Sequence, residues 1–169
     1  MVRGLKQTSS IVSVGFEVRE TVANTFTQGS TDLNLSPLDM EVFVVLAVNM
    51  DVSSPDAIAG TDTTCAASLT STSVGAIANL SNPNCIAAAG KVIRAAGMID
   101  SGVGFQTALE TPPANLDYIG IIATNDFFVQ LAGTNNLVTN FITGKIYGFR
   151  AKADAAIYAA LVQSEALSA

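Results

Sequence analysis

Glu41-Val-Phe-Val-Val-Leu-Ala-Val-Asn-Met-Asp51 is apolar without a break from Val42 to Val48 and carries Val at four of those seven places. Branching at Cβ crowds a helix and suits a pleated strand. With both faces apolar, such a strand has cover on two sides. The run is too short for a membrane-spanning helix, which needs about 20 apolar residues, and Asn49 and Asp51 close it. Ser53-Ser54-Pro55-Asp56 then breaks the strand.

The segments on either side follow the same logic. In Ile11–Glu20, Val12, Val14, Phe16 and Val18 alternate with Ser13, Gly15, Glu17 and Arg19, the period-two signature of a strand with one buried face. Thr21–Thr27 reads as a weaker strand, and Ser30 to Asp39 as a loop. Downstream, Cys65–Thr72 and Val74–Leu80 read as extended. Gly102–Glu110, Asp117–Thr124, Asp126–Ala132 and Leu137–Arg150 complete the strands, with Gly, Pro, Asn and Asp in the turns. Two helices are expected. Cys85–Ala96 has Ser81 or Asn82 to cap it, Pro83 at its start, Lys91 and Arg94 near its end and Gly97 as a stop. Lys152–Leu167 has Asp154 in its first turn and an apolar stripe of Ile157, Tyr158, Leu161 and Val162.

The expected fold is therefore all-β: an eight-stranded jelly-roll β-sandwich with one short inserted helix and a C-terminal helix. Residues 1–10 form an N-terminal arm, 11–150 the sandwich, and 151–169 the helix and tail. The face of Val42, Val44, Leu46 and Val48 is expected in the core, where Leu46→Asp would abolish folding.

Composition narrows the function. The 169 residues are 49% hydrophobic and only 13% charged, half the usual charge. Lacking a membrane span or a leader-like apolar stretch, the chain is expected to cover its apolar surface with neighbouring subunits. Its net charge is −6, and its eight basic residues are scattered, so strong direct binding to DNA or RNA is not expected.

The chemistry is sparse as well. The chain has no histidine, which removes His-based triads, Cys–His dyads and His metal ligands. Cys65 and Cys85 read as free buried thiols, with a disulfide between them as the alternative, and no zinc site is expected. Neither a phosphate loop nor a dinucleotide fingerprint occurs. The carboxylates Asp51, Asp56, Asp62, Asp100, Glu110, Asp117 and Asp126 lie in turns, where such groups serve mostly as solvated turn formers. Paired carboxylates are the only candidates for acid–base chemistry, and the cluster Asp51, Asp56 and Asp62 is an alternative calcium site between subunits, although its spacing matches no defined calcium loop. No catalytic, cofactor-binding or metal residue is assigned, and no cofactor is expected.

From Ile11 through Arg150 the pattern resembles the jelly-roll capsid proteins of small icosahedral viruses. The resemblance is carried by the strand count, the doubly apolar Glu41–Asp51, the polar turns and the low charge. It extends through Asn125-Asp126-Phe127-Phe128 and Gly148-Phe149-Arg150-Ala151-Lys152-Ala153-Asp154, which look like the closing strands and tail of a shell protein. It implies a non-enzymatic subunit that assembles with copies of itself, in a virion built in the host cytoplasm. Other capsid proteins or an internal layer are further candidate partners. The chain lacks the basic arm of shells that package RNA directly, so it looks more like a shell over an internal membrane or core layer, or a minor or cement subunit. Ile157, Tyr158, Leu161 and Val162 are the candidate interface. Two other readings stand beside it: a β-rich filament or surface-layer subunit, and a small carboxylate-based enzyme or carbohydrate-binding module.

Overall fold

A computed structural model describes residues 4–100, 102–107 and 116–167. Two five-stranded antiparallel sheets face each other, and one helix lies outside them. The strands are β1 (Leu5–Gln7), β2 (Val12–Arg19), β3 (Thr27–Asp32), β4 (Glu41–Val52), β5 (Thr63–Thr70), β6 (Cys85–Arg94), β7 (Val103–Thr107), β8 (Gly120–Ile122), β9 (Asp126–Thr134) and β10 (Phe141–Ala153). The helix is α1 (Ala155–Leu167). In the first sheet the order is β1-β10-β4-β8, with β2 following β1 along the same edge of β10; in the second it is β3-β9-β5-β6-β7.

The main core lies between the sheets. Phe16 and Val18 from β2 meet Phe127, Val129 and Leu131 from β9, with Phe16 and Phe127 edge to face at 5.8 Å between ring centres. Two glycines of β10 make room for aromatic rings. A Cβ on Gly144 would lie 2.4 Å from Phe16 Cζ, and one on Gly148 would lie 2.5 Å from Phe43 Cε1. Val14 packs against this core as expected, whereas Val12 at the strand's start is largely open to solvent.

Strand β4 serves two layers. Opposite β10, Tyr147 pairs with Ala47 while Gly148 pairs with Val45, so Leu46 is an extra residue, a β-bulge. Before it, Phe43 and Val45 face the inter-sheet core and Val42 and Val44 face outward. Beyond it, Val48, Met50 and Val52 face the inter-sheet core. The expected single face of Val42, Val44, Leu46 and Val48 is thus split by the bulge, and Leu46 itself is only half-buried.

Helix α1 covers the outward layer. Ile157, Tyr158, Leu161 and Val162 pack against Leu5, Val42, Val44, Ala151 and Ala153. Asp154 caps the helix, accepting the Ile157 N–H at 2.9 Å. Lys152 and Ala153, expected in the helix, instead finish β10 by pairing with Lys6 and Leu5. Residues Leu5–Gln7 of the expected arm are therefore an edge strand. Gly4, with φ +81°, passes so close to Ile157 that any side chain there would collide with it.

The expected inserted helix Cys85–Ala96 is not formed; the segment is β6. Residues Thr63–Thr70 of β5 offer a full edge, and β6 satisfies it along eight paired positions. A helix there would leave those backbone groups unpaired, and Gly90, Val92 and Ile93 are weak helix formers. The cap signals serve turns instead. Asn82 Oδ1 accepts the Asn84 N–H, Asn82 O accepts the Cys85 N–H, and Gly97 takes φ +82° after the strand.

Two expected strands are also corrected. Thr21–Thr27 is mostly a turn, because Asn24 is left-handed (φ 63°) and turns its amide onto Asn136. Val74–Leu80 is a loop laid over the second sheet's outer face, where the Ala78 N–H donates to buried Ser68 Oγ. Residues 108–110 of the expected strand Gly102–Glu110, with Glu110 one of the turn carboxylates named above, fall outside the described residues.

Candidate functional site

The loops β2–β3, β4–β5 and β9–β10 meet at one end of the sandwich and are bolted together by side chains. Asn24 and Asn136 exchange hydrogen bonds, Asn136 Nδ2 donating as well to Thr64 O at 2.7 Å. Asp56 Oδ2 accepts the N–H groups of Leu137 and Val138 at 2.7 and 3.1 Å. Buried Glu20 accepts the N–H groups of Gly133 and Asn140 at 2.7 and 2.8 Å. Ser53 Oγ donates to Asn140 Oδ1 and accepts the Phe141 N–H. The β6–β7 loop joins through Asp62, which accepts the N–H groups of Ala95 and Ala96 at 2.8 and 2.9 Å. Among the described residues no buried side-chain nitrogen or oxygen lacks a partner.

On top of this polar frame sit exposed apolar side chains: Val22 (63%), Leu137 (78%), Val138 (61%) and Ile99 (87%). Exposed apolar tips on loops held this firmly make a surface whose ordering cost is already met in the free chain. Sequence reading missed it because its residues come from three separate loops, and only the Asn and Asp enrichment of the loops at this end hinted at the hydrogen bonds.

Asp56 and Asp62, candidates for acid–base or calcium chemistry, are here loop ties. The two N–H groups and nearby Arg94 hold the Asp62 carboxyl below its ordinary range. Asp51 points into solvent and meets Lys91 at 3.4 Å, an ion pair worth little. Asp51, Asp56 and Asp62 do not converge, and among the described residues no group of three His, Cys, Asp or Glu side chains is placed to hold a metal.

The helix end has a tie of its own. Glu165, on α1 and buried, accepts the N–H groups of Ala123 and Thr124, each at 3.1 Å. Burial pushes its carboxyl above the ordinary range despite those bonds. The interface candidates Ile157, Tyr158, Leu161 and Val162 are half-buried against the chain's own first sheet. The helix's other face, with Ala155, Ala156, Ala159 and Ala160, is exposed, and Glu165 is its only charged residue.

A cleft of about 400 Å³ opens between the sheets where β8 ends, with Asn49, Lys91, Gln106 and Tyr147 among its lining. Cys65 and Cys85 are free thiols; burial pushes Cys65 up to about 11, so it stays protonated at neutral pH. Among the described residues no helix is long and apolar enough to cross a membrane. No family model of known proteins matches the chain, and no curated protein does.

Proposed function

We propose that the chain is a structural subunit that assembles with copies of itself into a shell of the viral-capsid type, and that its sandwich is a jelly roll. Strand pairing supports the second part. Counting β1 and β2 as one interrupted strand and setting β7 aside leaves eight strands. Their antiparallel partners are then first with eighth, second with seventh, third with sixth and fourth with fifth. That is the pattern of a long hairpin rolled into two sheets. The hairpin rolls up because β10 also pairs β4, and β9 also pairs β5.

Self-assembly rests on one observation, the rigid rim of exposed Val22, Ile99, Leu137 and Val138 in a chain with only 13% charged residues. Uncharged apolar surface packs on its own copy without like-charge repulsion, as a closed symmetric assembly requires. The test is sedimentation at about 10–50 μM, where even weak micromolar interfaces associate, followed by negative-stain microscopy. Oligomers are expected from the natural chain. Leu137→Asp with Val138→Asp should leave a folded monomer by circular dichroism. A stable natural monomer overturns the reading, and open fibres in place of closed shells favour the filament alternative.

The polar inter-sheet cleft favours a second reading, a binding module for a small polar ligand such as a sugar. It predicts saturable chemical-shift changes at Asn49, Gln106 and Tyr147 on titration with simple sugars.

A further inference from the structure

An open sheet edge presents unpaired N–H and C=O groups, and proteins guard such edges with charge, proline, bulges or brevity. Three of the four edges here are guarded. The β1–β2 edge carries Lys6, Glu17 and Arg19 and is interrupted between Gln7 and Val12. β8 has only three residues. On β3, Asp32 ends the strand, and Gln28 is engaged with Ser73 and Val74. The fourth edge, β7, has none of these devices. Val103-Gly-Phe-Gln-Thr107 has no charge and no proline, and every residue is exposed, with Phe105 at 59% and Val103 at 47%. Its inner edge pairs with β6 from Gly90 to Arg94, and among the described residues no strand pairs its outer edge.

We infer that β7 is a homotypic docking edge, which pairs antiparallel with β7 of a second copy across a two-fold axis through Phe105. This rests on the self-assembly reading above and adds a specific contact to it. An antiparallel edge is complementary to itself. The register puts Phe105 opposite Phe105 and Val103 opposite Thr107, so the aromatic pair sits at the centre, where a cross-strand pair contributes most. Charge argues for a second copy as the occupant. The chain carries −6 overall, yet the ions beneath β7 are neutralised in pairs, Lys91 with Asp51 and Arg94 with Asp62, each at 3.4 Å. Like copies therefore approach here without repulsion. Five residues a side fall short of the roughly 1,000 Å² of a stable interface, so the edge sets the register while the loop rim supplies further area.

Cysteine cross-linking tests the register, in a Cys85→Ser background to remove the half-buried thiol. Under mild oxidation at a concentration where the natural chain self-associates, Phe105→Cys should give a disulfide dimer. Val103→Cys alone and Thr107→Cys alone should stay uncrosslinked, while their equimolar mixture cross-links. Phe105→Lys, at an exposed position that folding tolerates, should lower self-association at least several-fold. If the natural chain associates while Phe105→Cys stays uncrosslinked, or Val103→Cys cross-links as well alone as in the mixture, the edge inference fails and self-assembly stands. If the natural chain is monomeric throughout, both fail.

Discussion

Glu165 and Asp62 make nearly the same bonds and titrate in opposite directions. Each carboxylate accepts two consecutive backbone N–H groups, Ala123 and Thr124 for Glu165, Ala95 and Ala96 for Asp62. Asp62 lies at the rim of the sandwich, where water solvates its charge, and the bonds draw its carboxyl below the ordinary 3.8. Glu165 is shut between α1 and the β8–β9 turn, and the loss of water outweighs the same two bonds, so its carboxyl rises above the ordinary 4.5. Hydrogen bonds to a carboxylate do not by themselves say which protonation state folding prefers; the solvent that was given up does.

The largest effect should come from Glu165→Ala. It leaves the Ala123 and Thr124 N–H groups without acceptors in a buried place, at a cost of about 2–3 kcal/mol. Urea unfolding should show a lower midpoint with an unchanged slope; an unchanged midpoint would mean that α1 is held by its apolar stripe alone.

A smaller effect, visible in pH dependence, should follow from Glu165→Gln. A raised folded-state pKa means that folding favours the protonated form. The stabilisation is complete below the unfolded value near 4.5 and is lost as pH rises through the higher folded value. As pH rises from about 4.5 through that higher value, the natural chain should therefore lose stability that the Gln variant keeps. Parallel curves would break the contrast with Asp62.

The smallest effect should come from Asp62→Asn. Here the folded pKa is depressed, so the contribution is present above about 3.8 and is lost as pH falls through the lower folded value. Hydrogen exchange at the Ala95 and Ala96 amides should quicken in the variant at neutral pH, and in the natural chain only in acid. Exchange that is equally fast in both at neutral pH would show that a neutral amide oxygen, accepting the same two N–H groups, holds the β6–β7 loop as well as the charged one.

Much of the β framework was legible because local pattern and tertiary demand agree there. Val14, Phe16 and Val18 alternate and are packed inward. Phe127, Val129 and Leu131 do the same on β9. Asp154 reads as part of the helix's first turn and is its cap, so the helix was legible and its start was not, because the last residues of β10 are drawn into the sheet by pairing with β1. Cys85–Arg94 was not readable, since what makes it a strand is the open edge of β5, some twenty residues upstream in sequence. The bulge at Leu46 was hidden as well, because a run apolar on both faces gives no phase to follow. The ties of Glu20 and Glu165 join residues more than forty positions apart, so neither carboxylate differs in its local sequence from a solvated surface charge. The rim at the loop end was invisible for the same reason.

The bulge at Leu46 acts on β4 as a single inserted letter acts on a reading frame. Everything before it is read in one phase and everything after it in the other, which lets one strand serve the helix layer first and the inter-sheet core along its whole length. Deleting Leu46 would keep the frame, because Val45 and Ala47 already pair with consecutive residues of β10, Gly148 and Tyr147; keeping Leu46 and pairing it as an ordinary strand residue would shift it. With the first half of the strand held in place, Val48, Met50 and Val52 would turn outward, and Asn49 and Asp51 would be carried into the core. At this position the bulge, and not the identity of the residue in it, keeps the two halves of the strand in step.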